Sequence, residues 1–269
     1  MTNIDKITVA LLQSDIVWEE RDINFVRYEN LLQQVPKGAH IVVLPETFCR
    51  GFLTSTEKIT EQEAAVVRSW MQQQAARHGF ALCGTAMVRE KQAVYNRFYF
   101  VQPDGVFYQY DKRHLFGFGG ENEQLTSGEE RTVIPYLGWN FFPAICYDIR
   151  FPVWLRNQFR WDNENGYEYD MMLLCSNFPA ARSNILNALI PARAIENQCY
   201  VASVNRIGHD GTGIAHNGLS QIVDFKGDTL SKAQEGTEEI ITATCSKSAL
   251  TQFRAKYPFG ADQDRFMIF

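Results

Sequence analysis

Short, largely apolar runs separated by segments of helical character are the feature of this chain that most restricts its fold. Ile41 to Leu44, Asn140 to Cys146 and Asp170 to Cys175 are runs of this kind, and a strand that is apolar on both sides needs a covering layer on each face. The segment from Asp22 to Val35 repeats its apolar residues at helical spacing, and a second helix is expected from Thr60 to His78. This alternation predicts a layered α/β fold.

The remaining segments extend the same pattern. Pro103-Asp104-Gly105 is a turn signal between two strands, and a short helix is expected from Pro152 to Phe159. Another helix follows Cys175 and reaches Asn197, and Pro191 is expected to kink it or to begin a new segment. Further strands are expected at 80–88, 95–102, 106–110, 200–205, 218–224 and 239–245.

Composition and charge limit the classes of partner. Hydrophobic residues make up 45% of the 269 residues and charged residues 21%, which suits one soluble domain covering residues 1–269. A net charge of −5 offers no basic surface to nucleic acid or to an anionic membrane, so neither is expected as a partner. Residues 1–20 fit a first strand, and not a signal peptide or a membrane span.

The spacing of cysteine and histidine gives little support to a metal site. The five histidines form no pattern of metal ligands, and no cysteine pair has zinc-finger spacing, so we expect neither a metal nor a cofactor. Six cysteines spread singly through a chain of this size are typical of reduced thiols, which predicts a cytoplasmic protein. They are Cys49, Cys83, Cys146, Cys175, Cys199 and Cys245.

Cys146 ends an apolar run and is followed at once by the polar turn from Tyr147 to Pro152. A cysteine in an apolar strand is more often a packing residue than a reactive one. At the tip of a strand, however, a thiol is placed to act as a nucleophile, and the backbone N–H of Tyr147 is then available to an oxyanion. The position favours acyl-transfer chemistry if other reactive side chains join it.

Two other side chains follow apolar or hairpin strands. Glu46 comes after Pro45 at the end of one strand, and Lys112 leaves another. A thiol with a pKa of about 8.5 needs a base to activate it, and a carboxylate can take that proton and later return it to a departing ammonia. An ammonium group favours the thiolate and stabilises the oxyanion. Intervals of 66 and 34 residues alone do not prove that the three groups meet.

Several segments in order resemble the nitrilase superfamily of carbon–nitrogen hydrolases. They are LPETF, DKRHLF, CYDIRFP, ARAIENQ with the following CYVASVNRIG, and the segment from His216 to Gln221. The resemblance implies a four-layer αββα sandwich that forms a homodimer through its helices. It also implies that Glu46 is general base and acid, Lys112 stabilises the oxyanion and Cys146 is the nucleophile.

Two alternatives concern the reactive residues. Many members of this superfamily have a second glutamate that positions the lysine, and Glu121 in GFGGENEQLTSG resembles it, with Glu123 as the alternative in the same loop. Cys49 lies three residues after Glu46 and is an alternative nucleophile, although it lacks the strand-tip setting.

The residues after the nucleophile resemble the ω-amidase branch of this superfamily. Tyr147-Asp148 stands where nitrilases usually have Trp-Glu and carbamoylases Asn-Asp. The resemblance implies hydrolysis of the terminal amide of 2-oxoglutaramate or 2-oxosuccinamate through a thioester. A related amidase acting on deaminated glutathione, and a catalytically silent interaction protein, are the alternatives.

A small dicarboxylic monoamide needs a cation for its free carboxylate. A guanidinium suits this task because its fork matches two oxygens, and Arg182 is the candidate. Tyr147, Phe118 and Phe178 are candidates to line the substrate pocket. Arg150, four residues after the nucleophile, is expected to pair with a structural acid.

Overall fold

The computed structural model describes residues 3–52, 55–160 and 166–267. Within these ranges the chain forms two six-stranded sheets, a two-stranded ribbon and five α-helices. The strands are β1 (Lys6–Gln13), β2 (Ile41–Val43), β3 (Ala81–Glu90), β4 (Ala93–Val101), β5 (Phe107–Asp111), β6 (Ile134–Tyr136), β7 (Trp139–Ile145), β8 (Met171–Ser176), β9 (Tyr200–Asn205), β10 (Ile207–His209), β11 (Ala215–Asn217), β12 (Gln221–Val223), β13 (Thr229–Lys232) and β14 (Glu239–Ser246). The helices are α1 (Arg21–Leu32), α2 (Glu63–His78), α3 (Glu121–Gln124), α4 (Ser183–Asn197) and α5 (Lys247–Lys256).

The two large sheets have related strand orders. The first sheet runs β14-β1-β2-β3-β4-β5, and β1, β2 and β3 are parallel to one another. The second runs β13-β12-β9-β8-β7-β6, and β7, β8 and β9 are parallel. The other neighbouring pairs are antiparallel. Each sheet therefore has a parallel centre, which explains the continuous apolar runs in the sequence.

Alternate residues of a strand face different apolar layers. On β1, Val9 belongs to the layer between the two sheets, whereas Ala10 packs with α1 and α2 on the opposite face. Phe100 of β4 and Phe141 of β7 meet across the sheets, with ring centroids 5.7 Å apart. Ile190 of α4 is buried with the strands of the second sheet. The predicted four-layer αββα sandwich is confirmed.

Two predicted helical features differ from the structure. The segment from Pro152 to Phe159 forms turns and no regular helix, whereas Cys146–Arg150 forms a short 3₁₀ helix. Pro191 does not divide the helix, because α4 is one element from Ser183 to Asn197. Ile190 and Ala194 flank the proline in sequence and are both buried, so packing against the sheet outweighs the loss of one backbone hydrogen bond.

The predicted strand at 218–224 is also different. Strand β11 ends before this range and β12 covers only Gln221–Val223 within it. Gly218 lies between the two strands and has a φ of +74°. A left-handed residue ends a strand, and glycine adopts this conformation at little cost. No helix in the described part of the chain combines the length and the apolar character that a membrane span needs.

Candidate active site

Three reactive side chains follow strand ends at one edge of the sandwich. Lys112 comes directly after β5, Cys146 directly after β7 and Glu46 three residues after β2. Asn177 directly follows β8, and its backbone N–H donates to Oε2 of Glu46 at 2.7 Å. This bond joins a loop of the first sheet to a loop of the second. Such edges, at the carboxyl ends of parallel strands, are where α/β folds usually bind ligands.

Cys146 begins the 3₁₀ helix that follows β7, and its φ is +43°. Thr47, next to Glu46, is also left-handed, with a φ of +47°. Residues other than glycine rarely adopt this conformation, and it costs roughly 1–3 kcal/mol unless the surroundings impose it. Here Ile145 N–H donates to Oδ2 of Asp148 at 3.0 Å, which closes the turn around the cysteine. The thiol therefore lies at a sharp strand-to-helix turn.

Lys112 is buried between two carboxylates. Its Nζ lies 2.9 Å from Oε1 of Glu46 and 2.9 Å from each carboxylate oxygen of Glu121, and its side chain is 1% exposed. Burial alone would lower the pKa of Lys112, but Glu121 and Glu46 together raise it. The two carboxylates therefore favour the charged form of the lysine.

Glu121 and Glu123 occupy different environments. Glu121 is 3% exposed and also accepts the backbone N–H of Phe116 at 2.6 Å, whereas Glu123 is exposed. Glu121 is thus the glutamate of this loop that contacts Lys112. Its carboxylate holds both the lysine and the loop that begins at Phe116.

Burial and the carboxylate of Glu46 raise the pKa of the Cys146 thiol well above its usual range, while Lys112 and the backbone of Asn177 lower it. The net direction is upward, so the thiol keeps its proton at neutral pH. Attack by the sulfur therefore requires a base that removes this proton during the reaction.

Two buried asparagines that the sequence did not single out hold Glu46 in place. Asn96 of β4 donates from Nδ2 to Oε1 of Glu46 at 2.8 Å. The backbone carbonyl of Asn96 accepts the backbone N–H of Lys112 at 2.9 Å. Asn177 donates from Nδ2 to the carbonyl of Glu46 and to Oγ1 of Thr47, at 2.9 and 2.7 Å. Asn96 is a polar residue within an apolar strand, and this is the sequence feature that could have indicated its role.

Asp148 connects the lysine segment to the cysteine turn. Its carboxylate is fully buried and accepts the hydroxyl of Tyr110 at 2.8 Å and the backbone N–H groups of His114 and Ile145 at 3.0 Å each. Nδ1 of His114 lies 2.9 Å from the same carboxylate. Because these partners flank Lys112 and Cys146 in sequence, one side chain fixes the relative position of both segments.

Glu46, Lys112 and Cys146 line a single cavity of about 160 Å³. Tyr147, Phe178 and Arg182, three of the candidate pocket residues, line it as well. The guanidinium of Arg182 lies 6.0 Å from the ring centroid of Phe178 and 4.9 Å from that of Phe116. The remaining lining residues are Phe52, Gly119, Arg150, Asn177, Pro179, Asp210, Thr212, Ile214 and His216.

The expectation that Phe118 lines the pocket is wrong. Its side chain is 99% exposed, and the ring from this loop that lines the cavity is that of Phe116. Gly117–Gly119 form a single 3₁₀ turn, and Gly120 is left-handed with a φ of +76°. In such a short turn, two residues of sequence separation are enough to place one ring inside and the other in solvent.

Arg150 also differs from its expected role. It lines the cavity, and no carboxylate in the described ranges forms an ion pair with it. Its guanidinium lies 5.9 Å from the ring centroid of Tyr147. The predicted pairing with a structural acid is therefore not found.

Cys49 is unsuited to the role of nucleophile. It is 1% exposed, burial raises the pKa of its thiol to about 12, and it is not among the described residues that line the cavity. The described part of the chain contains no cluster of three or more histidine, cysteine, aspartate or glutamate side chains arranged to hold a metal ion.

An αββα sandwich that gathers a thiol, a carboxylate and a buried ammonium group around one cavity has the architecture of enzymes that cleave carbon–nitrogen bonds. The carbon–nitrogen hydrolase family model matches residues 8–255. The chain belongs to this family.

Similar proteins and structures agree with this assignment. Omega-amidase YafV of Yersinia enterocolitica is 36% identical over 97% of this chain and 98% of its own length. The 2-oxoglutaramate amidase of Bacillus subtilis is 31% identical over 94% of this chain and 96% of its own length. A solved CN-hydrolase superfamily structure from Xanthomonas campestris, with an arsenic adduct in the active site, is 36% identical. It has a TM-score of 0.94 and covers 99% of this chain and 100% of its own.

Proposed function

We propose that this protein is an ω-amidase that converts small 2-oxo dicarboxylic monoamides, such as 2-oxoglutaramate and 2-oxosuccinamate, to the 2-oxo acid and ammonia. The observation that carries the proposal is the buried cluster of Glu46, Lys112 and Glu121 at the cavity that Cys146 lines. The names of the relatives that are 31–36% identical over nearly the whole chain support the choice of substrate.

In the first half of the reaction, Glu46 takes the proton of the Cys146 thiol while the sulfur attacks the amide carbon. The carbonyl oxygen becomes an oxyanion, which Lys112 and the backbone N–H of Tyr147 stabilise. Glu46 then gives its proton to the nitrogen as the C–N bond breaks. Ammonia leaves, and the acyl group remains on the sulfur as a thioester.

In the second half, Glu46 removes a proton from water, and the resulting hydroxide attacks the thioester carbon. A second oxyanion forms, and Lys112 and the backbone N–H of Tyr147 stabilise it as they do the first. The C–S bond then breaks, and the sulfur recovers the proton from Glu46. Glu121 is proposed as a positioning residue, because its carboxylate contacts Lys112 in addition to that of Glu46. Its two bonds to Nζ support this role.

Arg182 is proposed to bind the free carboxylate of the substrate. It lines the cavity between Phe116 and Phe178, and no acid in the described ranges forms an ion pair with it. We also propose that Phe178 and Tyr147 form the apolar wall against which the substrate's methylene groups pack.

Replacing Arg182 with glutamine is expected to raise KM for 2-oxoglutaramate by about 10–100-fold with a much smaller change in kcat, because the lost charge binds substrate and transition state alike. Steady-state ammonia release measures both constants. Arg77→Gln, at an exposed position of α2, is the matched control and should leave both constants unchanged. An Arg182→Gln enzyme with an unaltered KM would remove this residue from the substrate site.

The function itself is tested by comparing the hydrolysis of five kinds of compound, followed as cysteinylglycine release for deaminated glutathione and as ammonia release for the others. These are 2-oxoglutaramate, 2-oxosuccinamate, deaminated glutathione, simple nitriles and N-carbamoyl amino acids. The proposal expects the highest kcat/KM for the first two. A preference for deaminated glutathione would favour the related amidase, and turnover of a nitrile alone would overturn the ω-amidase assignment. A folded protein that hydrolyses none of them would be a silent interaction protein.

We further propose that the protein is a cytoplasmic homodimer that associates through its helical layers. The exposed apolar side chains on these layers support this, since Ile23 and Val26 of α1 and Ile195 of α4 are 51%, 59% and 52% exposed. Light scattering is expected to give twice the 30.8 kDa mass of one chain. A mass of one chain at micromolar concentration would contradict the dimer.

A further inference from the structure

Arg150 carries a charge into the cavity that the proposed reaction does not use. It ends the 3₁₀ helix that starts at Cys146, is partly buried, and lines the same cavity as the reactive cluster. A partly desolvated guanidinium is costly unless an anion accompanies it. An anionic ligand in the cavity would therefore stabilise the guanidinium of Arg150.

The buried arginines elsewhere in the described ranges all have an acidic partner. Arg97, Arg193, Arg206 and Arg254 pair with an aspartate or a glutamate at distances of 2.5–3.2 Å. Arg150 and Arg182 are partly buried, line the cavity and have no acidic partner in the described ranges. Other partly buried arginines without an acidic partner donate to backbone carbonyls, as Arg89, Arg113 and Arg156 do, whereas no hydrogen bond of the Arg150 or Arg182 guanidinium is found within the described ranges.

None of the other ionisable groups of the cavity in the described ranges forms an ion pair with either of these two cations. Lys112 already shares its charge with two glutamates. Asp210 accepts the backbone N–H groups of Thr212 and Ile214 at 2.9 and 3.0 Å, and the Thr212 hydroxyl at 2.7 Å, and forms no ion pair within the described residues. His216 is neutral at physiological pH, because burial and the charge of Arg206 lower its pKa to about 4.

Arg150 and Arg182 lie against two aromatic rings of the cavity lining, those of Tyr147 and Phe116. The guanidinium of Arg182 is 4.9 Å from the centroid of Phe116, and that of Arg150 is 5.9 Å from the centroid of Tyr147. The two rings meet edge to face with centroids 5.1 Å apart. The two guanidiniums therefore lie beside neighbouring rings of the same cavity lining.

We propose that Arg150 is a second anion-binding position, which makes this cavity a receptor for small dicarboxylates, with one carboxylate on Arg182 and the other on Arg150. The proposal rests on the proposed function for the role of Arg182. Hydrolysis of a monoamide replaces a neutral carboxamide with a carboxylate, so the substrate carries one anionic group and the product two. Dicarboxylates of the product's type therefore bind more tightly than monoanions of the same length and compete with the amide.

The test measures binding and needs no turnover. Isothermal titration calorimetry on the full chain at pH 7.5 compares glutarate with pentanoate, which has the same chain length and one carboxylate. Glutarate is expected to bind at least about tenfold more tightly, which corresponds to about 1.4 kcal/mol. Arg150→Gln should remove this difference while leaving pentanoate binding unchanged, whereas Arg182→Gln should weaken both ligands.

Two further variants keep the result interpretable. Arg150→Lys retains the charge without the fork and should retain part of the preference for glutarate, and Arg77→Gln should bind as the unaltered protein does. Thermal unfolding confirms that each variant is folded. Equal affinities for glutarate and pentanoate, no binding of either ligand, or an unchanged preference in Arg150→Gln would overturn the proposal. If glutarate binds as expected but 2-oxoglutaramate is not hydrolysed, the proposed function fails and the dicarboxylate site stands.

Discussion

Replacing Cys146 with alanine is expected to lower kcat for amide hydrolysis by on the order of 10⁴-fold or more, to the detection limit. The proposed thioester needs a sulfur at this position, and none of the other described residues that line the cavity supplies one. Ammonia release under saturating substrate measures the loss. Incubation with substrate followed by intact-mass analysis should show an acyl adduct on the unaltered protein and none on the variant.

Cys49→Ala is the matched control for this change, because Cys49 also follows the Glu46 loop but its thiol is fully buried. The control enzyme should keep activity close to that of the unaltered protein. Activity that survived in Cys146→Ala and disappeared in Cys49→Ala would move the nucleophile to the other cysteine.

Replacing Lys112 with methionine is expected both to abolish activity and to destabilise the fold. The change leaves the carboxylates of Glu46 and Glu121 buried without their shared cation, and removal of one partner of a buried ion pair costs about 3–5 kcal/mol. Loss of an oxyanion donor is expected in addition to lower kcat by about 10²–10³-fold. Thermal unfolding and ammonia release measure the two effects separately.

A double variant separates these two roles of the lysine. Lys112→Met combined with Glu121→Gln restores the net charge of the buried cluster, since one carboxylate remains where two carboxylates and one ammonium stood. It should recover part of the lost stability and none of the activity. A double variant that regained activity would show that Lys112 acts only by balancing charge.

The residues whose common location could be predicted from the sequence are those that follow strand ends. Glu46, Lys112 and Cys146 each follow a strand, and the chain must leave the sheet there, so their side chains reach the same edge once the two sheets pack. Strands that are apolar on both sides require two covering layers, which predicted a layered α/β fold, whereas the four-layer αββα arrangement was implied by the resemblance to the nitrilase superfamily.

The details that the sequence did not reveal depend on loop register and on pairing across the sheets. In the loop that begins at Phe116, Glu121 and Glu123 are two residues apart, and no periodicity decides which of them faces the lysine. Phe116 and Phe118 present the same difficulty. Asn96 contacts Glu46 because β4 lies near the end of β2 in three dimensions, a relation between residues 50 positions apart in sequence.

The place of the last strand has a consequence for synthesis of the protein. Strand β14 pairs with β1 along its whole length, from Lys6 with Ser246 to Gln13 with Glu239. During translation, one edge of β1 therefore stays open until the residues of β14 have left the ribosome, and open strand edges attract other chains. The nascent polypeptide therefore completes its first sheet only after residues 239–246 have been synthesised, more than 200 residues after β1.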